Sequence, residues 1–528
     1  MVKTIATIAT GFVLATAIPA LAGNDVGYSD LVSRLGSATP TGASVVAATV
    51  EARNGSDNFY PDQTSPEFAG KSFIERSGDS SASGHATGVA VRQYGLDTSM
   101  APGIELIQLY EAGDWLFGGF LRTGSGTSNP LFNPGGTKVV NTSWVANFEV
   151  DGNPMYDLEN EAMRRLDFVV NRDGLIVTSG VQNGVAGLND PLLSHAFNTI
   201  VVGRRDGQHV AAETGPNHDG PGRMKPEIVA PESVTSNASP VINSVASVLV
   251  EAARTTLAGT PGADRPEVIK AVLLAGATHE NSVSGTWSNN PDTTGSNRGI
   301  TIQPIDDIMG AGTVHVDRSH RILTAGEQPG SAAVPAAVNA DELGWDLATV
   351  GTGESRYWRV QVPALAPSVS IVATWNREIM SGFSAWSLAD FDVTLYRVGP
   401  GNKLQSLTGT AGVPYFSGGN VVSASAVDSV EHLYVLDLEP GTYAIELSRL
   451  DGGTSDADVA IAWQLPEIDG PRQDLNGDGT VGFADLVILL QDWGPCPPGP
   501  CLADIDDDGV VGFGDLTNLL NAWGATGP

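Results

Sequence analysis

Cysteine is nearly absent: the 528 residues contain two, Cys496 and Cys501, both in the segment CPPGPC near the C-terminus. A disulfide scaffold is therefore excluded as the source of stability, and no histidine stands beside the pair to complete a zinc site. In an exported chain the two are expected to bond to each other. Positive charge is scarce as well. Lys and Arg total 28 against 60 Asp and Glu, a net charge of −32 at pH 7. Such a surface repels phosphate backbones and anionic lipid, which argues against nucleic acid and membranes as partners. Aromatic residues make up 7%, and no group of them flanks a carboxylate pair in the manner of a carbohydrate-cleaving site. Beyond the first two dozen residues no apolar run is long enough to span a bilayer.

What is present begins with MVKTIATIATGFVLATAIPALAG. One Lys, an apolar stretch and the small-residue site Ala20-Leu21-Ala22 read as an export signal over residues 1–22, cleaved after Ala22. The expected product is secreted, with no membrane span left after cleavage. A chain of this length exceeds one core and predicts several domains. Over residues 23–325, apolar runs such as SVVAATVEA, TKVVNTSW, GLIVTSG and NTIVVG alternate with helical patterns such as MYDLENEAMRRLDFVV. That alternation predicts an α/β domain with a mostly parallel sheet covered on both faces. An Ala/Pro/Gly-rich stretch over 326–340 predicts a linker. From 341 to 467 the helical period disappears, and short alternating strands such as RYWRVQV, HLYVLDL and GTYAIELSRL predict an antiparallel β-sandwich.

The last region, 472–525, is duplicated. DLNGDGTVGFADLVILLQDWG from Asp474 returns as DIDDDGVVGFGDLTNLLNAWG from Asp504. Each copy sets oxygen-bearing residues at loop positions one, three, five and twelve and a Gly at six, with the carbonyl of position seven as a further donor. Calcium takes six to eight such hard oxygen ligands. The expected ligands are Asp474, Asn476, Asp478, Thr480 and Asp485 in the first loop. In the second they are Asp504, Asp506, Asp508, Val510 and Asp515. Two Ca2+ ions are therefore expected. The pair resembles the dockerin module of secreted bacterial proteins, a small helical tandem of calcium loop–helix units. That resemblance implies a cohesin-like or cell-surface partner. The pairs Phe483-Ala484 and Phe513-Gly514 stand where many dockerins carry hydroxyl residues, so the resemblance does not specify the partner.

In the α/β region, VTSNASP (Val234 to Pro240) places Ser236 at the mouth of a long apolar helix. The plain reading is a helix cap. A second reading treats Ser236 as a nucleophile, which needs a base within reach and a carboxylate to orient that base. SGHATGVAV places His85 among small residues, and VAATVEA ends a strand with Glu51. The order carboxylate, His, Ser is one of the known triad orders. These segments resemble the subtilisin-like (subtilase) serine peptidases over roughly residues 40–322. SGHATGVA is similar to the family's HGTHVAG, GLIVTSGVQNG to its oxyanion strand, and MKPEIVAP with VTSNASP to its KPDIVAP and GTSMAAP. The resemblance implies Ser236 as nucleophile, His85 as general base, Asn183 as oxyanion donor and Glu51 in the place of the usual Asp. Asp57 and Asp62 are weaker candidates for the carboxylate. The expected function is a secreted serine endopeptidase acting on peptide or protein substrates. The alternative is a catalytically inactive subtilase-fold binding protein.

Overall fold

A computed structural model of the chain describes residues 26–53, 58–185, 190–211, 213–279, 286–334, 339–453, 455–466, 473–475, 481–496, 503–505 and 509–524. The export segment 1–22 lies outside the described residues. Seven strands make a sheet in which every pairing is parallel: β1 (Val46–Glu51), β2 (Ser72–Glu75), β3 (Leu106–Glu111), β4 (Val139–Thr142), β5 (Ile176–Gly180), β6 (Ile200–Arg204) and β7 (Ile228–Ala230). Their order across the sheet is β2-β3-β1-β4-β5-β6-β7. Both faces are covered, as all-parallel sheets require. On one face lie α2 (Gly84–Tyr94) and α4 (Thr235–Thr255), which follow α1 (Tyr28–Leu35) in the chain; α3 (Tyr156–Asp173) covers the other. The chain leaves β1 toward one edge and returns to β4 on its other side. Such a switch point, at the carboxyl ends of the central strands, is where open α/β sheets hold ligands.

The antiparallel region is a second body of β-structure. Strands β8 (Leu343–Val350), β10 (Ala366–Trp375), β12 (Val430–Leu438) and β14 (Ala457–Gln464) belong to one sheet; β9 (Ser355–Val362), β11 (Phe391–Gly399) and β13 (Gly441–Arg449) belong to the other. Alternate residues of both sheets, among them Trp358, Ile371, Leu395, Ile445 and Trp463, form a common buried core.

This region is docked on the parallel domain. Helix α5 (Pro266–Ala275) is buried along its whole length and shares a cluster with Val372, Val430, Ala460 and Ala462 of the antiparallel sheet. Arg377 is fully buried and pairs with Asp167 at 2.5 Å and Asp219 at 2.7 Å across the junction. The indole N–H of Trp345 donates to the Leu323 carbonyl at the end of α6 (Val316–Thr324). The expected linker contributes structure of its own: Gln328 N–H donates to Trp345 O, and Ser331 pairs with Tyr357. Residues 335–338 of it lie outside the described residues. Ile300–Thr301, N-terminal to that segment, pairs in parallel with Val422–Ser423 of the antiparallel region. The junction therefore combines apolar burial with paired charge, unlike a tether.

Candidate active site

Strand direction decides where functional side chains can meet. All seven strands end at one edge of the sheet, and α2 and α4 begin there. Glu51 is the last residue of β1, and Asn183 lies three residues beyond the end of β5. His85 and Ser236 each occupy the second residue of their helix.

His85 Nδ1 lies 2.7 Å from Glu51 Oε2. A carboxylate only accepts, so Nδ1–H donates and the Nε2 lone pair points away from Glu51. Glu51 is 2% exposed, whereas the His85 side chain is 41% exposed. The carboxylate's other oxygen is buried without a partner, so His85 is its one hydrogen-bond donor among the described residues. The negative charge of Glu51 raises the His85 pKa above its ordinary 6.5, against the opposing effect of burial. Two local bonds fix the helix that carries His85. Ser83 caps α2 by accepting from Ala86 N–H, and Arg92 of α2 pairs at 2.7 Å with Glu232, just before α4. The other seven histidines are buried or half-buried. His209, for example, contacts a backbone group with each ring nitrogen, and its pKa falls to about 4 through burial. Asp62 is spent on its own turn, accepting from Thr64 N–H and Oγ1. Asp57 lies outside the described residues.

Ser236 does not cap its helix. The capping position of α4 is Val234, and no side chain there accepts a bond. The first free N–H, that of Thr235, instead donates to Asn183 Oδ1 at 2.9 Å. Asn183 thus acts as a cap in trans, which turns its Nδ2 donors away from that N–H. Ser236 N–H has no hydrogen-bond partner among the described residues. A free N–H at a helix N-terminus beside a side-chain amide is the donor set that stabilises a developing oxyanion. Close approach of α4 to β5 depends on Gly180: a Cβ there would lie 3.1 Å from the Thr235 carbonyl oxygen. Among the described residues no hydrogen bond joins Ser236 to His85.

One neighbour of Ser236 was not foreseen from the sequence. Pro240 sits inside α4 and cannot donate the i→i−4 bond that Ser236 C=O would otherwise accept. Ser143 Oγ, one residue past β4, donates to that carbonyl at 2.8 Å. The signal available in the sequence was the Pro four residues after the Ser, which leaves a carbonyl in need of a donor.

In the duplicated tail, α7 (Phe483–Gln491) and α8 (Phe513–Asn521) pack around Val481, Leu489, Ile505, Val511 and Leu519. Asp485 accepts from Gly482 N–H, and Asp515 accepts from Ile505 and Gly512 N–H. Asp504 accepts from Gly509 N–H at 2.9 Å, which folds loop position one onto position six. Asp485, Asp504 and Asp515 are all buried. No Lys, Arg or His occurs after Arg472. Buried carboxylates, with hard oxygen atoms to offer, suit a divalent cation. Asp474 and Val510 are described; Asn476, Asp478, Thr480, Asp506 and Asp508 lie outside the described residues, as does Cys501. Cys496 is disulfide-bonded. Among the described residues no helix is long and apolar enough to cross a membrane.

No family model matches the chain, and no curated protein matches it. Among solved structures it is similar to fervidolysin from Fervidobacterium pennivorans, a keratinolytic enzyme related to subtilisin (13% identity over 81% of this chain and 77% of that one, TM-score 0.31). It is also similar to a cold adapted subtilisin-like serine proteinase (17%, 47% and 87%, TM-score 0.31). A third is Pseudomonas sedolisin, a serine-carboxyl proteinase (15%, 56% and 97%, TM-score 0.35).

Proposed function

We propose that the chain is an exported serine endopeptidase of the subtilisin-like kind, with Ser236, His85 and Glu51 as its triad and Asn183 as an oxyanion donor. The observation that carries this reading is the 2.7 Å Glu51–His85 bond at the sheet edge where α4 begins with a Ser236 N–H that has no hydrogen-bond partner among the described residues. In the proposed reaction Ser236 Oγ attacks the scissile carbonyl carbon while His85 Nε2 takes its proton. Glu51 stabilises the imidazolium, and Ser236 N–H and Asn183 Nδ2 receive the oxyanion. His85 returns the proton to the leaving amine, giving an acyl-enzyme on Ser236. Water, deprotonated by His85, then hydrolyses the ester and frees the acid. Serine–histidine contacts of this kind are commonly long before substrate binds and tighten with it, so the reading does not require a Ser236–His85 bond in the free protein.

The test is labelling with a fluorophosphonate. Wild-type protein is expected to react stoichiometrically and Ser236→Ala not at all, with unchanged thermal unfolding. A folded wild type that fails to react establishes the inactive binding protein instead.

The tail is proposed to bind two calcium ions and to dock the enzyme on a protein partner at the cell surface. Calcium would bring positive charge to the buried carboxylates of Asp485, Asp504 and Asp515. Docking is supported by a repeated apolar face: Phe483, Leu490 and Trp493 recur as Phe513, Leu520 and Trp523, all exposed, and Trp493 meets Phe513 edge-on at 5.2 Å. Chelation is expected to unfold the tail, read as a calcium-dependent step in thermal unfolding, with fluorophosphonate reactivity unchanged. An unfolding curve indifferent to chelator would remove calcium from the account.

A further inference from the structure

The strands that carry the site also carry a row of polar residues one step below it. Thr49 of β1, Asn141 of β4 and Thr178 of β5 are in register across adjacent strands. They share the sheet face of Glu51, Ser143 and Gly180, two residues further along each strand. All three are at most 1% exposed, in the middle of an α/β core. Two helix residues come down onto the row: Gln93 of α2 and Asn243 of α4, each 0% exposed. Five buried polar side chains at one level would be strongly destabilising if unpaired. Here they are paired, and the pairing has a direction.

Thr49 Oγ1 donates to Gln93 Oε1 at 2.8 Å. Gln93 Nε2 donates to Asn243 Oδ1 at 2.9 Å and to the Ala48 carbonyl at 3.2 Å. Asn243 Nδ2 donates to Thr178 Oγ1 at 3.1 Å and to the Val140 carbonyl at 3.0 Å. Thr178 Oγ1 donates to Asn141 Oδ1, which also accepts from Ser239 Oγ of α4. Asn141 Nδ2 donates to Ser143 Oγ at 2.9 Å, and Ser143 Oγ donates to Ser236 O at 2.8 Å. Every amide in the path uses its acceptor on one side and its donors on the other. The path starts two residues from Glu51, passes through the helix that carries His85, and ends on the main-chain carbonyl of Ser236. That carbonyl is the one Pro240 deprives of a helical donor.

We propose that Gln93 and Asn243 are positioning residues, which hold β1 and α2 against α4 through this one-way hydrogen-bond path and so set the register of Glu51 and His85 relative to Ser236. The proposal rests on the functional reading above. Apolar side chains of similar size would fill the same volume and let the helices slide by fractions of an ångström. Directional bonds at three strands allow one register. Small displacements are costly in a triad, where about 1 Å of misplacement lowers a rate about 100-fold.

The experiment compares Gln93→Leu, Asn243→Leu and the double variant with wild type. Three quantities are read: thermal unfolding, the fluorophosphonate acylation rate with the kcat and KM of a peptide ester, and the titration of His85 by NMR. Each single variant strands a buried partner and is expected to unfold at lower temperature. The double variant removes both members of the central pair and is expected to be more stable than the sum of the singles predicts. If the path positions the triad, the folded double variant still acylates about 10- to 100-fold more slowly with KM unchanged. Its His85 then titrates closer to the ordinary histidine value, because Glu51 is no longer held against it. A folded double variant with wild-type acylation and wild-type His85 titration overturns the proposal and reduces the row to packing. A wild type that never reacts with the fluorophosphonate overturns the peptidase reading instead. The His85 titration then decides the positioning claim alone, and a value unchanged in the double variant sinks it.

Discussion

The two faces of the parallel sheet are cut from the same strands and obey different rules. Toward α3, residues such as Ala48, Val50, Val140 and Val177 meet Met163, Leu166 and Val169 in an apolar cluster. Toward α2 and α4, the alternate residues change character along the strand. Ala47, Val139 and Ile176 come first, the polar row Thr49, Asn141 and Thr178 next, and Glu51, Ser143 and Gly180 at the edge. The first face gains stability in proportion to the area it buries. The second replaces area with hydrogen bonds whose net contribution is near 1 kcal/mol each, so its polar row gives geometry more than stability. The difference teaches that one sheet can separate the two tasks by residue parity alone. It also predicts that substitutions on the two faces will be read by different instruments.

The sharpest break should come from Glu51. Glu51→Gln keeps the shape but removes the charge and allows the wrong His85 tautomer. Acylation is expected to fall about 10⁴-fold, with little change in thermal unfolding. The pH dependence gives an independent check. Glu51 raises the His85 pKa above 6.5, so the rising limb of wild-type activity should lie above that value and move down in the variant. The sign for stability is opposite in pH. A histidine whose folded pKa exceeds its unfolded one stabilises fully below the unfolded value and loses that contribution as pH rises through the folded one. A variant within tenfold of wild type, or a limb that stays in place, would remove Glu51 from the triad.

How much of this was legible before the structure follows the same division. The apolar runs and their alternation with helical patterns predicted a parallel sheet, because parallel strands buried on both faces must be continuously apolar. Glu51, His85, Asn183 and Ser236 were named from local motifs, and each motif carries its own spacing. The polar row was not legible. Gln93 follows Arg92 in α2 and Asn243 stands among the serines of α4, so nothing local singles them out; only the register of three strands, distant in sequence, gives them partners. At 326–340, Ala, Pro and Gly suggested a linker; composition could not show that backbone bonds from Gln328 and Ser331 tie its described part to the antiparallel strands. The cap reading of Ser236 failed for a related reason. The cap comes from Asn183, a residue more than fifty positions away, and no local pattern contains it.

The mildest effect on activity, and the cleanest control, is expected on the α3 face. Leu166 is fully buried in the same apolar cluster as Val140 and Val177, on the face of the sheet opposite the polar row. Leu166→Ala should cost about 2–5 kcal/mol, the transfer free energy of the lost methyl groups plus the cavity left behind. The folded fraction should acylate at the wild-type rate. Strands and helices move as units, so a cavity on this face can reach the site only by shifting β4 or β5 bodily, and the polar row resists that shift from the other side. If Leu166→Ala slows acylation as much as the Gln93→Leu/Asn243→Leu variant, the sheet transmits strain across its thickness and the division of labour between its faces is lost. If it destabilises the protein at constant rate, the apolar face supports the fold and the polar face sets the geometry of Ser236 and His85.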